Sequence, residues 1–209
     1  MAHDQYCDKD DLKAYVGLTG TGQNDNIDNA INAASREIDQ LCNRVFYETE
    51  AVEHKYFNAV DPLSIVVPDI SKTTSLVVKL DTTDDGTHDT TLTIDTDFYL
   101  NPINPPQIAT SGGTIYYEPY NELRILSTRS SERFDPTIPK NIKITAYWGF
   151  SIVPDAIKQA CLLQATRLWK RKDSPFSTYG NPTTGTGELF NRFDPDALKL
   201  IKGYVKKTL

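Results

Sequence analysis

The residues whose types could do chemistry are few, and their spacing argues against most of it. Asp81, Thr83 and Asp85, followed by Gly86, place oxygen ligands at alternate positions, as the opening of a calcium loop does. The closing position of such a loop needs a bidentate Glu, and here it falls on Leu92. The segment therefore reads as an acidic hairpin turn. His3, His54 and His88 lie far apart with no ligand-like spacing, and read as a tail residue, a strand residue and a loop residue. Thr19-Gly20-Thr21-Gly22 follows a helix and lacks the Lys-Ser or Lys-Thr of a phosphate-binding loop, and Thr183 to Gly187 lacks it too. No Gly-x-Ser-x-Gly occurs, and no motif pairs a Ser or Cys with a His. Asp84 and Asp85 read as solvated charge. The expectation is a non-enzymatic protein with no catalytic residues, no cofactor and no metal.

Composition narrows the class. The chain has 209 residues, of which 39% are hydrophobic and 24% charged, ordinary values for a globular protein. Its formal net charge of −6 argues against a protein that grips nucleic acid through phosphates. It is compatible with one that lets DNA pass. The start, Met-Ala-His-Asp-Gln-Tyr-Cys-Asp, shows neither the basic nor the apolar region of a signal peptide. No run approaches the ~18 apolar residues that a membrane span requires. The three cysteines, Cys7, Cys42 and Cys161, fall at no useful spacing. Cys42 and Cys161 sit among apolar residues of predicted helices, which suggests buried thiols and a reducing setting during folding.

The elements follow from periodicity. A first helix is expected over about 8–16, capped by Asp8, with Leu12, Tyr15 and Val16 on its apolar face and Gly17 at its end. A second is expected from Asp25 to about Arg44, with Ile27, Ala30, Ile31, Ala34, Ile38, Leu41, Cys42 and Val45 in one stripe. Strands are expected at 52–58, 63–67, 75–80, 90–94, 97–100, 114–117, 122–126 and 141–148. A third long helix covers about 154–172, after the switch from period 2 to helical period around Trp148-Gly149-Phe150 and Pro154. Residues 173–193 read as a long flexible loop that carries Phe176, Tyr179, Phe190 and Phe193. A short last helix starts at Asp194-Pro195, with Leu198, Ile201, Tyr204 and Val205 in its stripe.

The expected fold class is α+β. An antiparallel helical bundle of the N- and C-terminal helices would carry an inserted small β-sandwich or barrel and a flexible C-terminal arm. The domains would be 1–46 with 150–175 as bundle core, 47–149 as β domain, and 176–209 as arm.

Three segments give the chain a family resemblance. Tyr6 to Val16 and the helix through Ile31-Asn32-Ala33-Ala34 to Cys42-Asn43-Arg44-Val45-Phe46 form one. Tyr147-Trp148-Gly149-Phe150 with Val153-Pro154 and Ile157-Lys158-Gln159-Ala160 form the second. The third is Arg171-Lys172-Asp173-Ser174-Pro175-Phe176 with the last helix. Together they cover about half the chain. In layout they resemble the head–tail connector, or adaptor, family of tailed bacteriophages.

That resemblance implies a virion protein at the head–tail interface, assembled in the host cytoplasm. Copies would close a dodecameric homo-oligomeric ring between the portal protein and a neck, stopper or tail protein. Genomic double-stranded DNA would pass through the ring without sequence-specific binding, and no membrane would be involved. The residues expected to contact the portal are Phe176, Tyr179, Phe190, Phe193, Leu198, Ile201 and Tyr204. Deleting 177–209 is expected to abolish docking while leaving the remainder soluble. The alternative is a module whose β domain binds a sugar or a calcium-dependent ligand.

Overall fold

A computed structural model describes residues 4–171 and 193–206, together with the backbone of 178–179 and 187–188, which pair in a two-residue antiparallel ladder. The chain divides into two compact units, residues 1–46 with 153–209, and residues 47–152.

Among its described residues the first unit holds four α-helices: α1 (Lys9–Val16), α2 (Asn24–Cys42), α3 (Asp155–Arg171) and α4 (Pro195–Ile201). Asp8 caps α1 by accepting the Asp10 N–H at 3.0 Å, and Gly17 ends it in the left-handed conformation. Asn43 ends α2 in the same way, two residues before the sequence stripe runs out. Ile27, Ile31, Ala34 and Ile38 are fully buried on α2, each isoleucine contributing about 2 kcal/mol of apolar burial. Leu41, in the last turn of α2, and Val45, beyond its end, are exposed. α3 packs against α2 and buries Ile157, Ala160, Cys161 and Ala165. Asp194 caps α4 by accepting from the Asp196 and Ala197 N–H groups, with Pro195 in the first turn. α4 packs on α3 and buries Ala197 and Ile201. A helix too short to persist alone is thereby held by its own chain. Removing 177–209 would strip a face of α3, so that deletion is a test of folding as much as of docking.

The second unit carries nine strands in three antiparallel sheets. They are β1 (Glu53–Phe57), β2 (Ser64–Ile70), β3 (Val77–Leu80), β4 (Thr90–Leu92), β5 (Phe98–Asn101), β6 (Gln107–Ser111), β7 (Thr114–Tyr117), β8 (Tyr120–Ile125) and β9 (Ile142–Ala146). One sheet has the order β1-β9-β3-β4, a second β2-β8-β5, and β6 and β7 form a hairpin of their own. Period-2 burial is clean in β9, where Ile142, Ile144 and Ala146 are buried and Lys143 and Thr145 are not. The inner faces of the two larger sheets share one hydrophobic cluster, to which six of the nine strands contribute.

That core overturns the expected fold class. Among the described residues the fold is mostly β, with nine strands in the three sheets of 47–152 against four α-helices, and is not a helical bundle with an inserted sandwich or barrel. The physical reason is the size of the β core: Ile70, Leu80, Leu123, Phe134, Ile142 and Ile144 are all fully buried within 47–152, so the strands form a body in their own right.

The end of β9 is closed by Trp148 and Gly149. The Trp148 carbonyl accepts from the Thr49 N–H (2.9 Å), its own N–H donates to the Thr49 hydroxyl (3.1 Å), and its indole donates to the Glu53 carbonyl (2.9 Å). Gly149 has φ +97°, and a Cβ there would stand 1.9 Å from the Tyr47 carbonyl oxygen. Only glycine fits that approach.

Candidate functional site

The residues expected at the portal interface divide by location. Phe176 and Phe190 lie outside the described residues, and of Tyr179 only the backbone is described. Ile201 is 1% exposed and belongs to the core of the helical unit, not to a surface. Tyr204 is half-buried and packs edge-on against Phe46, with ring centroids 5.7 Å apart. Leu198 is exposed on α4, and Phe193 is half-buried where the chain leads into that helix.

Phe193 lines a groove of about 270 Å³ between α2 and α3. Glu37, Gln40 and Leu41 form one wall, and Gln164, Arg167, Leu168 and Arg171 the other. Its polar residues are already organised. Gln164 donates from Nε2 to Glu37 Oε2 at 2.6 Å and accepts from the Asp194 N–H at 3.0 Å. The Arg167 guanidinium pairs with the Asp194 carboxylate at 3.8 Å. One amide thus ties α2, α3 and the approach to α4 together, which explains a buried glutamine at the centre of α3. Leu41, 42% exposed, Leu168 and Phe193 supply apolar surface beside these charges. Such a mixture suits recognition of a protein side chain. No spacing pattern marks the groove as a site, because its walls come from helices more than a hundred residues apart.

A second surface lies on the outer face of the four-stranded sheet. Register sets Tyr56 beside Lys143, Lys143 beside Lys79, and Lys79 beside Thr91 in one cross-strand row. Neither lysine has a carboxylate within ion-pair distance among the described residues. Lys143 Nζ stands 5.7 Å from the Tyr56 ring centroid. His54 and His88, which sequence spacing kept apart, both pack on Tyr56, at 5.5 and 5.3 Å between ring centroids. The His88 Nε2 is 2.9 Å from the Lys140 carbonyl oxygen. His3 lies outside the described residues.

The acidic turn is occupied by its own backbone. The Asp81 carboxylate accepts N–H groups from Thr83 (3.1 Å), Asp84 (2.9 Å) and Gly86 (2.8 Å). Burial would raise its pKa, but these backbone donors outweigh burial and hold it below the usual carboxylate range. The turn joins β3 to β4 as a hairpin. Among the described residues no group of three or more His, Cys, Asp or Glu is placed to hold a metal ion. None of the described helices is long and apolar enough to cross a membrane.

At the N-terminal edge of the helical unit is a polar network that sequence reasoning missed. The Tyr6 hydroxyl donates to Asp39 Oδ1 and accepts from the Phe46 N–H at 2.9 Å. Arg36 pairs with Asp39 at 3.1 Å and with Asp4 at 3.4 Å. Burial, foremost, raises the Asp39 pKa against the Tyr6 hydrogen bond and Arg36, and burial together with Asp39 raises that of Tyr6. Gln5 donates to Asn32 at 2.9 Å, so residues 4–6 are held to α2 along about two of its turns, from Asn32 to Asp39.

No protein-family model matches the chain, and a search of curated proteins finds no significant relative.

Proposed function

We propose that this chain is a structural protein of a tailed-phage virion, a head–tail adaptor that closes into an oligomeric ring between the portal and the next neck or tail protein. The observation that carries the reading is the groove between α2 and α3. Its volume of about 270 Å³ lies at or below the small end of ligand pockets, roughly 300–1,000 Å³. Gln164 and Glu37 are engaged with each other and Arg167 with Asp194, and Leu41 and Phe193 supply apolar lining. Those features favour an anchor side chain from a partner protein over a substrate. Leu198 extends the apolar surface along α4. The resemblance of the first two helices, the β-to-helix junction and the last helix to phage connectors supplies the partner, the portal. The net charge of −6 supports a channel that duplex DNA slides through without being retained.

Electron microscopy of the purified protein, alone and mixed with a portal ring, tests this. Rings seated on the portal are expected. Leu41→Arg combined with Leu198→Arg should abolish docking with an unchanged circular dichroism spectrum, because both side chains are at least 40% exposed. Undiminished docking by the double variant would remove the groove from the interface. Failure of the unaltered protein to associate with the portal at micromolar concentration would remove the adaptor role.

A further inference from the structure

Two of the three cysteines, 154 residues apart, meet inside the helical unit with their sulfurs 3.3 Å apart. Cys7 lies just before α1 and is 3% exposed, and Cys161 lies on α3 and is fully buried. Both thiols are free. The surroundings of the two sulfurs differ. The Cys7 S–H donates to Cys161 Sγ, and the Ser35 hydroxyl oxygen is 3.5 Å from the same sulfur. Ser35 itself accepts the Tyr6 N–H at 3.1 Å, and its single proton serves either the Ile31 carbonyl at 2.9 Å or Cys161. The hydrogen bond from Cys7 outweighs burial and holds the Cys161 thiol below its usual range, helped by Ser35 and by the backbone N–H groups of Tyr6 and Cys7. Donating that bond, together with burial, pushes the Cys7 thiol up. The pair thus concentrates thiolate character on one sulfur and keeps a protonated thiol against it. The thiolate is the nucleophilic form of a cysteine, so Cys161 is the sulfur placed to react first.

We propose that Cys7 and Cys161 are a redox-active dithiol, a modification site that a peroxide-class oxidant converts to an intramolecular disulfide. In the first step the Cys161 thiolate attacks one oxygen of hydrogen peroxide. The S–O bond forms, the O–O bond breaks, and hydroxide leaves and takes a proton to become water. Cys161 is then a sulfenic acid. In the second step Cys7 sulfur attacks Cys161 sulfur. The S–S bond forms, the S–O bond breaks, and the oxygen departs as water with the Cys7 proton. Two thiols are oxidised by two electrons, and one peroxide is reduced to two waters. A small neutral oxidant is required, because Cys7 is 3% exposed and Cys161 is fully buried. The product fastens the segment before α1 to α3 by a covalent bond. Cys42, whose thiol burial pushes up to about 11, is the internal comparison.

The test treats the full chain with hydrogen peroxide, quenches it, alkylates under denaturing conditions, and maps the peptides. Free thiols should fall from three to one, with the link between residues 7 and 161 and Cys42 alkylated. Cys42→Ser should form the same link at the same rate. In Cys7→Ser, Cys161 should stop as a sulfenic acid that dimedone traps. Three alkylated thiols after treatment that oxidises free glutathione completely would overturn the proposal. A link that involves Cys42, or sulfenic acid at Cys42 before Cys161, would overturn it equally. The mapping of the unsubstituted chain decides the matter even where a variant folds poorly.

Discussion

Replacing Tyr6 by Phe removes one oxygen and keeps the ring, which packs edge-on against Phe46 with centroids 5.7 Å apart and lies 5.7 Å from the Arg36 guanidinium. Two losses follow. Asp39, whose side chain is 15% exposed, gives up a hydrogen bond to a charged acceptor, worth about 1.5–3 kcal/mol. The Phe46 N–H, in a fully buried residue, is left without its acceptor, at a cost of about 1–3 kcal/mol. The Arg36–Asp39 contact at 3.1 Å remains and relieves part of the first loss. The sum is therefore taken nearer the low end, on the order of 3 kcal/mol. Urea denaturation followed by circular dichroism measures it directly, and the m-value should stay constant. A double-mutant cycle with Asp39→Asn should recover a coupling of about 1–2 kcal/mol. A destabilisation below about 1 kcal/mol would refute the claim that this hydroxyl bridges the segment before α1 to the end of α2.

Gly149→Ala should destabilise the β unit by about 3 kcal/mol or more, since a Cβ 1.9 Å from the Tyr47 carbonyl cannot be accommodated at φ +97° without breaking local backbone bonds; thermal unfolding reads it, and a change under about 1 kcal/mol would contradict the close approach. Burial raises the Asp39 pKa above its ordinary 3.8, so the folded state binds that proton more tightly than the unfolded one. Its contribution is complete below pH 3.8 and is lost as pH rises through the folded value; Asp39→Asn should flatten the part of a Tm profile that lies above pH 3.8. Asp81 behaves in the opposite sense: its lowered pKa gives stability that is present above 3.8 and lost as pH falls through the folded value, and Asp81→Asn should remove that acid-side loss. Lys79→Glu replaces a like-charge cross-strand pair with an opposite one and should raise Tm at low ionic strength by a few degrees, about 0.5 kcal/mol, with the gain shrinking in 1 M salt.

Much of the local structure was legible because local rules were obeyed. Asp8, Gly17 and the Asp194-Pro195 pair mark helix ends where capping chemistry places them. The stripe on α2 named six buried residues, and alternation from Ile142 to Ala146 named a strand. Misreadings fall where tertiary contact decides. Tyr15 was placed on an apolar face and is 54% exposed, since α1 is short and only Leu12 reaches the core. β6 was not anticipated, because it follows Pro105-Pro106 and its Ala109, Thr110 and Ser111 carry little β signal. The fold class departs from its expectation for a related reason: helical periodicity is complete within one window, whereas a core assembled from six short strands is distributed over long sequence distances. Of the groove, sequence gave Phe193 but neither wall. The lysine row and the Cys7–Cys161 contact depend on register and packing, and no spacing rule could supply them.

The Phe150 N–H donates to the Tyr47 carbonyl at 3.3 Å, and Glu53 sits opposite Ala146 a few residues further in. Both ends of the 47–152 segment are therefore anchored at one corner. Tension applied across that corner meets the β1–β9 ladder one rung at a time, like a zipper, and never loads all five rungs in parallel. Mechanical failure should begin at Thr49 and Trp148 and run inward, at far lower force than shear along the same two strands would need.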